Sequence, residues 1–357
     1  MLRVGLLTSG GDCQALNAAM RGVAKTLYTS GREVEIFGFL NGYQGMIYNR
    51  YRKMERENFS GILTRGGTIL GTSRTPFKLL DEPTPDGIEK VPAMIRSYQS
   101  LRLDALVVGG GNGSTKTANR LAEEGLNVIA LPKTIDNDTW GTDYTFGFDS
   151  AIEIATKCID DIHTTASSHG RVFVIEIMGH KVGWIPLYAG MAGGADVILI
   201  PEIPYDIENV IDVIERRERG GKRFTIIAVA EGAITKEHAA MKKRERKKLL
   251  GLRSATVANE IADQLIVSTG REVRVAIPGH TQRGGTPCAR DRVFATQVGI
   301  EAGMGILEGE YGFMVADRNR EIVRVPLSEV AGKLKYVDPN CQLIRQAKMM
   351  GISFGDE

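Results

Sequence analysis

Short runs of apolar residues alternate along the chain with stretches in which apolar positions have helical spacing. Eight runs rich in Val, Ile and Leu have the length of strands; they span residues 3–7, 33–37, 105–108, 127–131, 171–177, 197–200, 224–229 and 272–277. Because these runs are continuously apolar, we expect strands that are covered on both faces, as in parallel sheets flanked by helices. The pattern predicts an α/β fold.

Length and composition describe a two-domain globular protein. The chain has 357 residues, which exceeds the usual size of a single domain. Its 43% hydrophobic residues, 25% charged residues and net charge of +2 are ordinary, and they give no field that indicates a nucleic-acid partner. No apolar stretch has membrane-spanning length and no signal peptide precedes the first predicted strand, so we expect a cytoplasmic protein without a membrane partner.

Two further features have more than one interpretation. Residues 236–248 are strongly charged. They could form a nucleic-acid patch, but the included Glu and the lack of interleaved aromatic residues favour a solvated helix face. The four cysteines lack metal-ligand spacing, which favours reduced thiols over disulfides or zinc ligands.

Glycine-rich segments follow two of the predicted strands. Residues 9–12 lie between a strand and the predicted helix 15–28, and residues 109–114 repeat that arrangement. Glycine lets a phosphate approach the backbone, although tight strand-to-helix turns need it as well and neither segment has a Walker A or GxGxxG spacing. A third segment, 66–74, ends in Arg74, which could stabilise a transferring phosphoryl group or lie on the surface.

Two carboxylates follow the strand predicted at 127–131, in the sequence Thr-Ile-Asp-Asn-Asp. If this segment is extended, Thr134, Asp136 and Asp138 point in the same direction. Such a pair of acids could combine a general base with a role near magnesium. Asp-Asn-Asp is also ordinary turn chemistry, and taken alone the segment favours this alternative of a polar turn.

Basic residues mark the second half of the chain. Arg171 opens one predicted strand, and Arg271, Arg274, His280 and Arg283 lie in or near residues 278–285. Guanidinium groups near strand ends suit a sugar phosphate, because their paired N–H groups match phosphate oxygens. The alternative is surface ion pairing and a histidine satisfied in the core.

Together these segments resemble the phosphofructokinase family, and the resemblance covers nearly the whole chain. It is carried by residues 9–12, 66–74, 110–114, 132–138, 178–179, 192–194 and 279–285. The resemblance implies two Rossmann-like α/β/α domains with an active site in the cleft between them, and a glycolytic, cytoplasmic enzyme that forms homodimers or homotetramers. The implied domains are a phosphoryl-donor domain, 1–147 plus 282–334, and a sugar-phosphate domain, 148–281 plus 335–357.

The implied reaction transfers a phosphoryl group from ATP to the 1-hydroxyl of fructose 6-phosphate, with Mg²⁺ as cofactor. The implied catalytic residues are Asp136 as the base, Thr134 and Asp138 beside it, and Arg74 as the cation on the phosphoryl group. The donor would contact Gly11, Arg74, Thr75, Gly111, Asn112, Gly113, Ser114 and Lys133. Fructose 6-phosphate would contact Thr134, Asp136, Asp138, Met178, Gly179, His180, Glu231, His280 and Arg283, with Arg171 and Arg274 reaching across from a neighbouring subunit.

The chain departs from the family pattern in three ways. Asn112 stands where an aspartate usually binds magnesium, and an amide oxygen can still bind the metal but brings no charge. Gly113 is typical of ATP-using members, whereas Lys133 is typical of pyrophosphate-using members. Gly113 leaves room for the α-phosphate of a nucleotide, which favours ATP, with a pyrophosphate-dependent phosphotransferase as the alternative. His180 replaces a common arginine, and with Asn112 it motivates a second alternative, a catalytically weak sensing or regulatory paralogue.

Overall fold

The computed structural model describes residues 1–251 and 255–357. In chain order the described helices and strands are β1 (Leu2–Ser9), α1 (Leu16–Thr29), β2 (Val34–Phe39), α2 (Tyr43–Ile47), β3 (Tyr51–Met54), α3 (Lys90–Ser100), β4 (Ala105–Gly110), α4 (Asn112–Glu123), β5 (Val128–Pro132), α5 (Phe148–His169), β6 (Val172–Ile177), α6 (Trp184–Ala192), β7 (Val197–Leu199), α7 (Ile207–Arg219), β8 (Thr225–Ala230), α8 (Lys236–Ala240), α9 (Lys243–Leu250), α10 (Val257–Thr269), β9 (Val273–Ala276), α11 (Ala289–Glu308), β10 (Phe313–Arg318), β11 (Glu321–Pro326), α12 (Leu327–Val330) and α13 (Gln342–Met349).

The chain divides into two compact units. The first contains Met1–Ser150 and Arg283–Lys335, and the second contains Ala151–Gln282 and Tyr336–Glu357. The chain therefore leaves the first unit after Ser150, returns at Arg283 and leaves it again after Lys335. Which ligand belongs to which unit stays a prediction.

The first unit is built on a sheet whose described strands follow the order β11-β10-β5-β4-β1-β2-β3. The central strands are parallel, and antiparallel pairs close both edges, β2 with β3 and β10 with β11. Since β5, β4 and β1 are neighbours and parallel, the segments that follow them emerge at one edge of the sheet. This is the edge at which open α/β sheets bind their ligands.

Apolar residues on both sides of this sheet explain why its strands are continuously apolar. Successive residues of a strand point to opposite faces. Leu7 and Val108 join a core cluster that includes residues of α2, α3 and α4. Leu6 and Val107 line a small cavity together with residues of α1. The sheet is therefore covered by helices on both faces.

The second unit contains the parallel strands β7-β8-β6-β9 in that order. Every residue of β6 and β8 is buried. Val174 and Ile227 on these strands belong to one core cluster with Val210 of α7 and Ile261 of α10. The ends of β6 and β8 are thus held side by side in one buried core.

The predicted α/β class with mostly parallel sheets is confirmed, and each of the eight predicted strands is present with ends within two residues of the predicted ones. The prediction missed β3, β10 and β11. In β3 the side chains of Tyr51, Arg52 and Lys53 are exposed, and β11 is an edge strand with mostly partly exposed residues. Edge strands need no continuous apolar run, so their sequences lack that signal. Among the described residues, no helix is long and apolar enough to cross a membrane.

Candidate active site

The segment after β1 is joined to the third glycine-rich segment, 66–74. Gly10 has a φ of 85°, and its N–H donates to the carbonyl of Ser73 at 3.0 Å. The hydroxyl of Thr72 donates back to the carbonyl of Gly10 at 2.7 Å. Arg74, which follows directly, is exposed. The Oγ1 atom of Thr75 is buried and has no hydrogen-bond partner in the described part of the chain.

The segment after β4 leads directly into helix α4. Gly111 precedes the helix, and the first turn carries no acidic residue. The free N–H groups of such a turn can face an anion. Ser114 is buried, whereas Gly113 is exposed, and a Cβ atom added at Gly113 would meet no atom of the described chain within 4 Å.

Lys133 is bonded both to the segment after β1 and to the end of β4. It follows β5, its backbone N–H donates to the carbonyl of Gly110 at 3.1 Å, and its Nζ atom donates to the carbonyl of Gly11 at 2.5 Å. The side chain is buried, and burial lowers the pKa of the Lys133 ammonium. One buried cation therefore bonds the segment after β1 and fixes its position against the end of β4.

The acidic segment after β5 is a turn. Ile135 and Asp136 lie in a turn, and Asn137 has a φ of 52°, in the left-handed region that asparagine tolerates. The N–H of Asp136 donates to the hydroxyl of Thr134 at 3.1 Å. The segment is thus a turn and not extended, because asparagine and threonine side chains bond the nearby backbone, and the roles expected of its acids stay predictions. Asp136 and Asp138 are nevertheless partly exposed, while Asn137 is buried.

Two residues far away in sequence support this turn, and sequence reasoning missed both. Lys335 bonds it directly through Asn137 and neighbouring carbonyls. Asp291 is fully buried and accepts from the N–H groups of Gly147 and Ser150, each at 2.9 Å, so it holds the chain that follows the turn. No local signal marks either residue, since both act across more than 140 positions.

Arg283 lies in the first unit, beside the first glycine-rich segment. Its Nη1 atom donates to the carbonyl of Asp12 at 3.1 Å. A Cβ atom on Gly11 would come within 2.8 Å of that same Nη1 atom. A side chain at position 11 would therefore displace the guanidinium of Arg283.

In the second unit, the segments after β6 and β8 are bonded to each other. The N–H of Glu231 donates to the carbonyl of Ile177 at 2.9 Å, and the N–H of Gly232 donates to the carbonyl of Gly179 at 3.2 Å. Met178 is buried, and its N–H donates to Oε1 of Gln282 at 3.2 Å. Gly179 has a φ of 153°, which disfavours any other residue there.

These segments border a cavity of about 510 Å³ in the second unit. The titratable residues that line it are Glu176, His180, Lys181, Glu231, Arg246 and Tyr336. The structure thus brings together the predicted residues His180 and Glu231. It adds Arg246 from the charged stretch, which forms α8 and α9 and whose sequence favours a solvated helix face.

Three of the arginines noted in the second half of the sequence are engaged in ion pairs within the second unit. Arg171 and Arg274 both pair with Glu272, and these guanidinium groups lower the pKa of the Glu272 carboxyl, Arg171 most strongly. Arg271 pairs with Glu218. Within the single chain these three arginines therefore form ion pairs, as the alternative to sugar-phosphate binding predicted. His280 is exposed in a short turn that begins at Gly279.

The described residues offer no dedicated metal cage and no reactive thiol at this site. No group of three or more His, Cys, Asp or Glu side chains that could hold a metal ion is present among them. All four cysteines are free. Burial raises the pKa of the Cys13 thiol to about 12, so this thiol stays protonated and unreactive.

The chain is similar to known proteins over almost its full length. A family model described as phosphofructokinase matches residues 3–306. The ATP-dependent 6-phosphofructokinase of Spirochaeta thermophila is 52% identical, over 99% of this chain and 97% of its own length. The pyrophosphate–fructose 6-phosphate 1-phosphotransferase of Amycolatopsis methanolica is 44% identical, over 95% of this chain and 97% of its own length. The crystal structure of Pichia pastoris phosphofructokinase in the T-state matches 92% of this chain with a TM-score of 0.78 and 32% identity, and the match spans 38% of that longer chain.

Proposed function

Since the chain belongs to the phosphofructokinase family, we propose that it is an ATP-dependent 6-phosphofructokinase, which phosphorylates the 1-hydroxyl of fructose 6-phosphate. The observation that carries this proposal is the arrangement at the edge of the first sheet. There the segments after β1, β4 and β5 are joined through Lys133, and the acidic turn lies next to two glycine-rich segments. This arrangement combines a site for phosphates with a site for a base.

The proposed roles follow from chemistry that needs positioning and charge more than covalent steps. The carboxylate of Asp136 takes the proton of the sugar 1-hydroxyl. The freed oxygen bonds the terminal phosphorus of ATP, and the bond from that phosphorus to its bridging oxygen breaks, so that ADP leaves. Arg74 stabilises the negative charge of the group in transfer. The backbone N–H groups of Gly111 and Gly113 hold the donor phosphates.

A divalent metal is typical of this family, and we propose Mg²⁺. Magnesium keeps several waters and binds through few protein oxygens together with the substrate phosphates, which agrees with the lack of an all-protein cage in the described residues. The side-chain nitrogen of Asn112 is engaged with the carbonyl of Lys333, which leaves the amide oxygen as the atom that would face the ion. The metal would neutralise charge on the donor phosphates.

For the sugar phosphate we propose the residues that the family resemblance points to, most of which lie in the second unit. Met178, Gly179, His180 and Glu231 lie at the bonded ends of β6 and β8. His280 and Arg283 would bind the 6-phosphate, and Arg171 and Arg274 would serve a neighbouring subunit in a homo-oligomer of two or four chains. Light scattering tests that assembly. The predicted cytoplasmic location stays a prediction.

The donor is the point at which a second candidate function has support. Gly113 has open space around it, which suits the additional phosphate and nucleoside of ATP. Lys133 is bonded to the carbonyl of Gly11, so it serves the loop and need not bind a phosphate. A pyrophosphate-dependent reaction is the second candidate, because Lys133 brings a cation next to the first glycine-rich segment and because one relative at 44% identity has that name.

A donor panel tests the proposal. Purified protein is assayed for fructose 1,6-bisphosphate formation from fructose 6-phosphate with ATP, other nucleoside triphosphates or pyrophosphate, each with magnesium. We expect the highest kcat/KM with ATP. A higher kcat/KM with pyrophosphate would select the second candidate, and no turnover with any donor would contradict both.

A further inference from the structure

Residues 332–335 form a short strap at the end of the first unit, just before the chain passes to the second unit. Leu334 pairs with Thr139 in an isolated antiparallel bridge. The backbone N–H of Lys335 donates to the carbonyl of Asp138 at 3.0 Å. The strap therefore lies alongside the acidic turn that follows β5.

The side chain of Lys335 adds three hydrogen bonds to the same turn. Its Nζ atom donates to Oδ1 of Asn137 at 2.9 Å, to the carbonyl of Thr142 at 2.9 Å and to the carbonyl of Asp143 at 2.7 Å. A lysine ammonium has three donors, and here each donor has an acceptor. One side chain thus joins both ends of the segment 137–143 and closes it into a loop.

The other end of the strap is bonded to the start of helix α4. The side-chain nitrogen of Asn112 donates to the carbonyl of Lys333. A carboxylate at position 112 could not donate this bond, because it offers only acceptors. Asn112 and the strap are therefore matched in chemistry, because an amide donor lies against a carbonyl of the strap.

From these contacts we infer that Lys335 is a positioning residue for Asp136, and that Asn112 anchors the strap through which Lys335 acts. Lys335 holds the turn that carries the base, and Asn112 holds the strap against the helix that follows the donor segment. The strap thereby fixes the base relative to the donor. The catalytic part of this inference rests on the proposed function, whereas the hydrogen bonds of the strap do not depend on it.

The charges around Lys335 support this geometry. Carboxylates face it from the turn, Asp138 and Asp143, and from strand β10, Asp317. Burial nevertheless lowers the pKa of Lys335 to about 8, and the three carboxylates only partly offset this effect. The three hydrogen bonds of this half-buried ammonium therefore have to offset a desolvation cost.

Hydrogen exchange tests the strap without any assay of activity. In Lys335→Met the loop 137–143 loses the side chain that joins its two ends. We therefore expect the backbone amides of these residues to exchange at least about tenfold faster than in the wild type. Asn112→Asp keeps the size of the side chain but removes the donor, and we expect a smaller acceleration in the same segment. Lys53→Met is the matched control, because it removes an ammonium that pairs with Glu35 at the far edge of the same sheet. Unchanged exchange of residues 137–143 in Lys335→Met would overturn the inference.

Steady-state kinetics tests the consequence for catalysis. A displacement of about 1 Å at a catalytic group costs up to about a hundredfold in rate. We therefore expect Lys335→Met to lower kcat by roughly tenfold to a hundredfold, with KM for fructose 6-phosphate changed by less than about threefold. Lys335→Arg restores the charge and should recover part of kcat.

The double variant separates a shared path from two independent effects. If Asn112 and Lys335 act through one strap, Asn112→Asp combined with Lys335→Met loses little more kcat than Lys335→Met alone. Losses that multiply would contradict the strap. A wild-type protein without turnover on any donor would refute the proposed function. The exchange experiment would still decide whether Lys335 holds the segment 137–143. Equal kcat in Lys335→Met and the wild type would refute the positioning role.

Discussion

Placing a carboxylate at position 113 tests the donor site directly. Gly113 lies in the first turn of α4, and a Cβ atom there would meet no atom of the described chain within 4 Å. The substitution Gly113→Asp is therefore sterically free. It should not destabilise the helix either, since replacing glycine in a helix gains up to about 1 kcal/mol and an acid in the first turn gains about 0.3–1 kcal/mol.

The expected effect on ATP is electrostatic. Two unit charges about 4 Å apart repel by about 4 kcal/mol near a protein surface and by about 1 kcal/mol in bulk water. Gly113 is exposed, so the cost lies between these limits. We expect kcat/KM for ATP to fall by about fivefold to several hundredfold, since each 1.4 kcal/mol is about a factor of ten. The rate with pyrophosphate should be unchanged or higher, because this donor has no α-phosphate at that place.

The matched control is Gly113→Asn, which has the same shape as Gly113→Asp without the charge. Both variants and the wild type are compared by kcat/KM for ATP and for pyrophosphate at two ionic strengths. A loss in Gly113→Asp that shrinks in salt and is much smaller in Gly113→Asn supports the electrostatic explanation. Equal kinetics for ATP in Gly113→Asp and the wild type would show that this turn does not hold the nucleotide.

Three further changes test the base, the loop and the titration of the strap. Asp136→Asn should lower kcat by about a hundredfold to ten-thousandfold with little change in KM for fructose 6-phosphate, and near-normal turnover would end its assignment as the base. Lys133→Met should lower the free energy of unfolding in urea by about 1–3 kcal/mol because the carbonyl of Gly11 loses its donor, and an unchanged midpoint would contradict that bond. Above about pH 8 kcat should fall in the wild type but not in Lys335→Arg, because Lys335 has a pKa of about 8 in the folded protein. Between about pH 8 and the ordinary pKa of 10.5, Lys335 binds a proton in the unfolded chain but not in the folded one, so its contribution to the free energy of unfolding rises with pH. The fall in kcat should therefore not come from unfolding, and a fall that tracks unfolding would contradict this explanation.

Most of the strands that bury apolar surface on both sides could be predicted from the sequence, but β10 was missed although its first four residues are buried. A strand such as β4 or β8 is buried at every residue, so it must be apolar throughout and its run is visible. Strand β3 buries only Met54 of its four residues, and its sequence carries no such requirement. The antiparallel edges of the first sheet are set by pairing with a neighbouring strand, which a single sequence does not display.

The candidate site also has parts that the sequence predicts and parts that it does not. Its glycine-rich segments and its acids are local sequence features, and they were predicted from composition and spacing. The conformation of the acidic turn was not, because it depends on the left-handed backbone of Asn137 and on bonds from Thr145 and Lys335. Such bonds join residues up to 198 positions apart, and no periodicity encodes them.

The surroundings of Asn112 and His180 in the structure change how these two departures from the family pattern are interpreted. Taken as sequence alone, Asn112 weakens a metal site and His180 weakens a sugar-phosphate site, which motivated a catalytically weak paralogue. In the structure the amide of Asn112 donates to the strap, a bond that the usual aspartate could not make. His180 borders a cavity that also contains the guanidinium-bearing Arg246, so a cation remains available there. A lost function should leave unmatched neighbours, whereas Asn112 has a partner that suits its amide, and a cation borders the same cavity as His180. The two departures therefore favour an active enzyme whose site is held together differently.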